Sequence, residues 1–461
     1  MRRRDLVRGL VVAVACASLA DPVLAHSAIS GGLTSTEVPF WLVALSGGGV
    51  VGASFLFTSF ATDHAFIRSI NDRDLGLPSS ETVGRWTVAA ARTASVALLG
   101  LVVAVGLVGP PQPQRNLAVL GVWGGWWAGY TMTVYLVGNT WPGLNPWRAL
   151  AGAVSRSTDS LRELPARYVG WPATVGLVAL VWVEVVSPVA SAPRLLAGLV
   201  VAYSAVTLTG AFVFGDAWFR HVDPISRVFR TYGWLAPVRR TDDGLTVELP
   251  GAALVRRLDE TTDGDVYFVV ALVWVTSYDG LVSTPPFAAF VRRAADVGVP
   301  ALAVYLGTAV VGFAGFLGIY KLAARLSRRT AGTYVGADVI ERRFVPSLVP
   351  IAAGYHLAHF LGYFLTFTPA LSVVAADPFA PPPAHRVPVA ILPDWFGAVG
   401  LAFIVLGHLL AIWVAHAIAF ETFTGRLQPI RSQYPFALVM VFYTITSMWL
   451  LSQPYVDPAL L

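Results

Sequence analysis

Six side chains able to bind a metal or carry a proton lie inside otherwise apolar stretches of this chain. YHLAHF (Tyr355 to Phe360) holds His356 and His359, and GHLLAIWVAHAIAF (Gly407 to Phe420) holds His408 and His416. Glu184 sits in VWVEVVSP and Asp279 in VTSYDGLVSTPP. An ionisable group in hydrocarbon is costly enough to mark a functional site or a hydrogen-bonded partner. His356 and His359, three residues apart, share a helix face. A rise of about 1.5 Å per residue puts His356 about 15 Å from the inner ends of the helices, His408 about 18 Å and His416 about 6 Å. His356, His359 and His408 are therefore expected to meet near the midplane, with His416 a level lower. Three imidazoles plus Glu184 or Asp279, as further ligand or general base, form a nitrogen and oxygen donor set for a divalent ion: zinc, manganese, iron or copper. A metal-free hydrogen-bond network and a proton relay remain open. A haem is disfavoured, since His356 and His359 are too close for two stacked haems, although nearby glycines leave room for one.

The elements that must position these groups are membrane helices. The 461 residues are 56% hydrophobic and only 13% charged, with a mean hydropathy of +0.64, whereas soluble domains carry about 25% charge. The fold class is an all-α polytopic integral membrane protein. Met1 to Ala25 reads as a signal peptide or an uncleaved anchor: three arginines, an apolar run and Val23-Leu24-Ala25 before His26. Residues 26–461 read as one helical membrane domain. About ten windows of roughly 20 apolar residues, the length that spans a bilayer, follow: near Pro39 to Ala61, Thr87 to Val108, Leu117 to Val137, Trp171 to Ala190, Leu195 to Gly215, Val266 to Ser283, Val299 to Leu322, Pro346 to Thr368, Trp395 to Phe420 and Tyr434 to Leu451. With the mature N-terminus outside, twenty-two arginines and lysines fall on inner loops and five on outer loops. The positive-inside rule then predicts a cell-membrane protein with both termini on the outer face.

Two loops are long. The segment Asp216 to Asp265 is expected inside, with Trp218, Phe219, Val222, Ile225 and Phe229 making an interfacial amphipathic helix whose arginines face headgroups, followed by a small cytoplasmic hairpin. The proline-rich segment Ala375 to Asp394 is expected outside, as an ordered cap over the histidine helices. Asp216 and His221 lie at an inner boundary, where capping or ion pairing is expected ahead of chemistry. GNTWPGLNPWR (Gly138 to Arg148) suits an interfacial turn with aromatic anchors. No nucleotide loop, GxSxG elbow or HExxH pattern is present, no basic cluster suits a nucleic acid, and the lone Cys16 excludes an intrachain disulfide.

Several stretches resemble the membrane-bound fenitrothion hydrolase family of polytopic proteins: NPWR (Asn145 to Arg148), VEVVSP (Val183 to Pro188), DAWFRH (Asp216 to His221), SYDGLVSTP (Ser277 to Pro285), LVPIAAGYHLAHF (Leu348 to Phe360), DPF (Asp377 to Phe379), GHLLAIWVAH (Gly407 to His416) and the run from Arg431 to Val456. The likeness covers most of the chain after about Asn139 and implies hydrolysis of an organophosphorus ester. A bound divalent ion would suit that chemistry by activating water and polarising a phosphoryl oxygen, and an apolar site would suit a small hydrophobic ester. A second class is copper handling, in which His26 at a mature N-terminus would bind the metal; only four methionines argue against Cu(I), which favours thioethers. A third is a structural or assembly factor whose polar residues lock helices together.

Overall fold

The computed structural model describes residues 40–77, 81–154, 160–165, 168–241 and 244–461. The expected signal or anchor segment, with Cys16 and His26, lies outside them. The apolar windows become helices because, without water, a helix alone satisfies every backbone polar group within its own segment. In chain order they are α1 (Phe40–Thr58), α2 (Glu81–Val108), α3 (117–136), α4 (Trp171–Val186), α5 (Pro193–Phe214), α6 (Asp263–Val282), α7 (Ala301–Ala331), α8 (Val349–Ala376), α9 (Phe396–Thr422) and α10 (Gln428–Ser452). Among the described residues seven helices are long and apolar enough to cross a membrane: Trp86–Val108 within α2, α5, α6, α7, Ala337–Ala376 including α8, α9 and α10. The chain is thus a multi-pass helical membrane protein. Leu45–Thr58 within α1 and α4 are shorter apolar helices, and α3 is interrupted by a π-helix, Leu120–Tyr130, between two short α-helical pieces.

Loops expected on one face gather at one end of the bundle. Strands β1 (Asp74–Leu77), β2 (Val238–Thr241) and β3 (Gly244–Glu248) form an antiparallel sheet in the order β1-β3-β2, with Asp74 opposite Glu248 and Val238 opposite Val247. A hairpin was expected in TVELPGAALVRRLDE (Thr246 to Glu260), but the observed one lies earlier, at Val238–Thr241 and Gly244–Glu248, with Ala252–Arg256 helical instead. The third strand, contributed by the loop after α1, was not expected. Arg256 pairs with Glu248 and donates to the Asn71 carbonyl at 2.9 Å. Arg342 reaches Asp263 at 3.0 Å and Arg343 reaches Asp259 at 2.9 Å. At the opposite end Arg115 donates to the carbonyls of Pro381 and Pro382, both at 2.8 Å, pinning the proline-rich cap.

The segment after α5 departs from expectation. It forms two short helices, Asp216–His221 and Pro224–Gly233, the second started by Asp223 accepting from the amides of Ile225 and Ser226. Instead of lying in the interface with its arginines outward, the second helix enters the bundle: Phe229, Tyr232 and even Arg227 are buried. Arg227 is drawn in because Asp265, at the start of α6, accepts from it at 2.8 Å and the Phe268 ring lies under its guanidinium. Burial pulls this guanidinium down to about 10, against the opposing attraction of Asp265, so it stays charged at neutral pH.

Helices α8 and α9 meet through glycine. A Cβ at Gly354 would lie 2.7 Å from the Phe403 carbonyl oxygen, and one at Gly407 would lie 2.6 Å from that of Pro350. Small residues of this kind let membrane helices touch backbone to backbone. Gly407→Val should therefore cost about 1–3 kcal/mol, the usual range for overpacking, measured as a lowered unfolding midpoint in detergent. Gly315→Val, where a Cβ meets open space, should stay within about 0.5 kcal/mol of the parent.

Candidate functional site

The carboxylates and two of the histidines converge on one cavity. Its volume is about 840 Å3, and Glu184 of α4, Asp279 of α6, and His356 and His359 of α8 are among its lining residues. The rest of the wall is largely apolar, with Trp123, Trp126, Trp127 and Tyr130 from α3, Leu98 from α2, and Val200 from α5. The buried helix Pro224–Gly233 contributes Ile225, Val228 and Tyr232. This is the chemistry of a site for an apolar molecule oriented by a few polar groups.

His359 and Asp279 form the closest ionisable pair of the site. The His359 Nε2 lies 3.2 Å from Asp279 Oδ2, with each side chain still partly exposed to the cavity. The contact sets an imidazole nitrogen beside a carboxylate oxygen at the cavity wall. The ring stacks near Tyr355, centroids 6.2 Å apart, and meets Phe360 edge-on at 4.8 Å. Glu184 shares the cavity wall. Beyond the end of α10, burial first, and then the carboxylates of Asp457, Asp279 and Glu184, hold the Tyr455 phenol above its ordinary range, so both membrane carboxylates act on one neighbour.

His356 is deeper and fully packed. Its Nδ1 lies 3.1 Å from the Tyr135 hydroxyl, while its Nε2 makes no hydrogen bond. The rings of Trp127, Tyr135, Tyr232 and Phe360 surround it. His408 Nδ1–H donates to the Ile404 carbonyl at 2.8 Å and its Nε2 is also without a partner. It is buried away from the cavity lining. His416 Nε2 meets the Ala61 carbonyl at 2.9 Å and its Nδ1 meets Gln433 at 3.2 Å, a tie between α9, α10 and the loop after α1. Asp216 pairs with Arg148 at 2.8 Å and Arg220 at 3.1 Å. Burial, followed by repulsion from Arg230, Arg227 and Arg220, lowers His221 below its ordinary value.

The expected three-histidine centre does not close. Among the described residues no group of three or more His, Cys, Asp or Glu side chains is arranged to hold a metal ion. A shared face of α8 brings His356 and His359 to the cavity, but His408 spends Nδ1 on its own helix and lies outside the lining. Depth constrains only the axial coordinate; rotation about the helix axis decides which rings can share an ion.

Sequence reasoning missed the aromatic wall. The run LGVWGGWWAGY is a π-helix over its whole length, a form associated with functional sites. Its glycines admit α8: a Cβ at Gly129 would meet the Phe364 ring at 2.6 Å. The alternation of tryptophan with glycine was the available signal. Comparison with family models, with curated proteins and with solved structures yields no match, so the site is read from its own geometry.

Tyr135→Phe would remove the hydroxyl partner of the buried His356 Nδ1. An unsatisfied buried polar group costs about 1–3 kcal/mol, so the variant should unfold at lower temperature. A thermal midpoint equal to the parent's would dissociate the Tyr135 hydroxyl from the stability of this region.

Proposed function

We propose that this chain is an intramembrane hydrolase that cleaves a hydrophobic phosphoester, with His359 as general base and Asp279 as the carboxylate that orients it. One observation carries the reading: an imidazole–carboxylate pair, His359 Nε2 3.2 Å from Asp279 Oδ2, in the wall of a large, mostly apolar cavity. The class of bond comes from the motif resemblance to the fenitrothion hydrolase family. A water oxygen bonds phosphorus while His359 takes its proton; as the bond from phosphorus to the leaving oxygen breaks, the proton passes to that oxygen. Asp279 holds the ring in the tautomer the step requires and stabilises the imidazolium that forms. The tryptophans seat the apolar substituents, and Glu184 supplies a second negative charge at the cavity wall. Because the described donor groups form no metal centre, no step is assigned to a divalent ion.

The assay is hydrolysis of a lipophilic phosphotriester by the full chain in nanodiscs. His359→Ala should lower kcat by about 10²–10⁴, the range for a lost general base, and Asp279→Asn should lower it while leaving the protein folded. EDTA should leave the rate unchanged. Activity that survives both substitutions, or that the chelator abolishes, would defeat this mechanism.

The positive-inside count supports ten spans with the sheet end inside the cell and both termini outside. Reporter fusions after Glu260 and after Asp377 should then lie on opposite sides of the cell membrane; the same side for both would overturn that arrangement.

A further inference from the structure

The Asp279–His359 pair belongs to two cavities. Besides the large apolar one, a small cavity of about 60 Å3 lies against the same two residues and is lined by Ser283, Thr284, Gln453 and Tyr455. The contrast in chemistry is the informative feature. The large cavity offers aromatic and aliphatic surface almost everywhere, whereas the small one, although Leu450 and Leu451 also line it, has a larger share of hydroxyl, amide and carboxylate groups around a volume with room for a few water molecules, each of which needs about 10–15 Å3.

The small cavity occupies the end of the bundle opposite the sheet, where α6 and α10 terminate. It is bordered by the segment following α10, which is held in place by the Val456 amide donating to the Ser283 carbonyl at 2.9 Å and by the Tyr305 hydroxyl donating to the Ala459 carbonyl at 3.3 Å. Asp279 lies within the last turn of α6 before this end, so the pair sits where an apolar compartment gives way to a more polar one.

We infer that the small cavity is the water compartment of the site: it delivers the water consumed with each ester and admits the polar acid product, while the apolar substrate occupies the large cavity. The inference rests on the hydrolase reading for the use made of the water, but the polarity of the compartment is independent of it. Hydrolysis consumes one water per ester and yields one acid and one alcohol or phenol; a single apolar chamber serves the ester but opposes both the water and the ionised acid. Two chambers meeting at the base resolve that conflict.

Cysteine accessibility tests the assignment in the full chain carrying Cys16→Ser. In nanodiscs, Ser283→Cys should react with a charged methanethiosulfonate reagent, and Val181→Cys, in the wall of the large cavity, should not, although both should react after denaturation. A Ser283→Cys protein that the charged reagent leaves unmodified until denaturation overturns the water compartment. Filling the space with Ser283→Leu should lower kcat about tenfold or more with little change in KM, the signature of a step after substrate binding; an unchanged kcat counts against the inference equally. Labelling needs no turnover. A chain that labels as expected but hydrolyses nothing overturns the hydrolase reading and leaves the compartment standing, and one that hydrolyses but resists labelling does the reverse.

Discussion

A polar group that leaves water for the interior of a membrane protein must find its partner inside the protein, and this requirement arranges the helices. The Trp274 indole donates to the Ala309 carbonyl at 2.8 Å and the Tyr278 hydroxyl to the Tyr305 carbonyl at 3.1 Å, fixing α6 on α7. His416 ties α9 to α10 and to the loop after α1 in the same manner. The Arg227–Asp265 pair draws in a helix whose amphipathic sequence suits the interface. Breaking a buried pair costs about 3–5 kcal/mol because the survivor is left uncompensated, so the helix Pro224–Gly233 is held by charge as much as by Phe229 and Tyr232. Through it, the wall of the large cavity depends on an ion pair at the start of α6.

Much of the architecture was legible in the chain because hydropathy and length dictate membrane helices almost directly. The windows around α2 and α5 to α10 correspond to helices of sufficient length and apolarity, whereas the hairpin forms at Val238–Glu248, ahead of the Thr246 to Glu260 stretch that composition suggested. Within the site, Glu184, Asp279, His356 and His359 share one cavity because they lie at compatible depths. What escaped were features set by rotation and by alternative backbone hydrogen bonding. His408 shares a depth with its counterparts but turns to its own helix. The π-helical form of Leu120–Tyr130 leaves no trace in hydropathy, and Arg227 reads as a headgroup ligand until its partner, 38 residues on, is seen beside it.

Among the described residues, the buried polar atoms without a hydrogen-bond partner include the Nε2 atoms of His356 and His408, several indole nitrogens such as that of Trp123 in the cavity wall, and the Thr231 and Ser327 hydroxyls. An unpaired buried donor or acceptor costs stability. His416 differs, since both of its nitrogens meet oxygen atoms of neighbouring elements. His359 falls between them, held at one nitrogen by Asp279 and open to a cavity.

The small sheet also bears on how the protein is made. Asp74 of β1 pairs with Glu248 of β3, so β1 leaves the ribosome long before its partner exists. At about 5–20 residues per second, the intervening chain takes roughly 10–35 s to synthesise, during which α2 to α5 are made. The three strands can close only after those helices have left the ribosome, and the closure then ties the loop after α1 to the segment carrying Arg256. The sheet is thus a late clasp, joined only when its third strand is made, and an unpaired β1 is the exposed edge that the nascent chain carries until then.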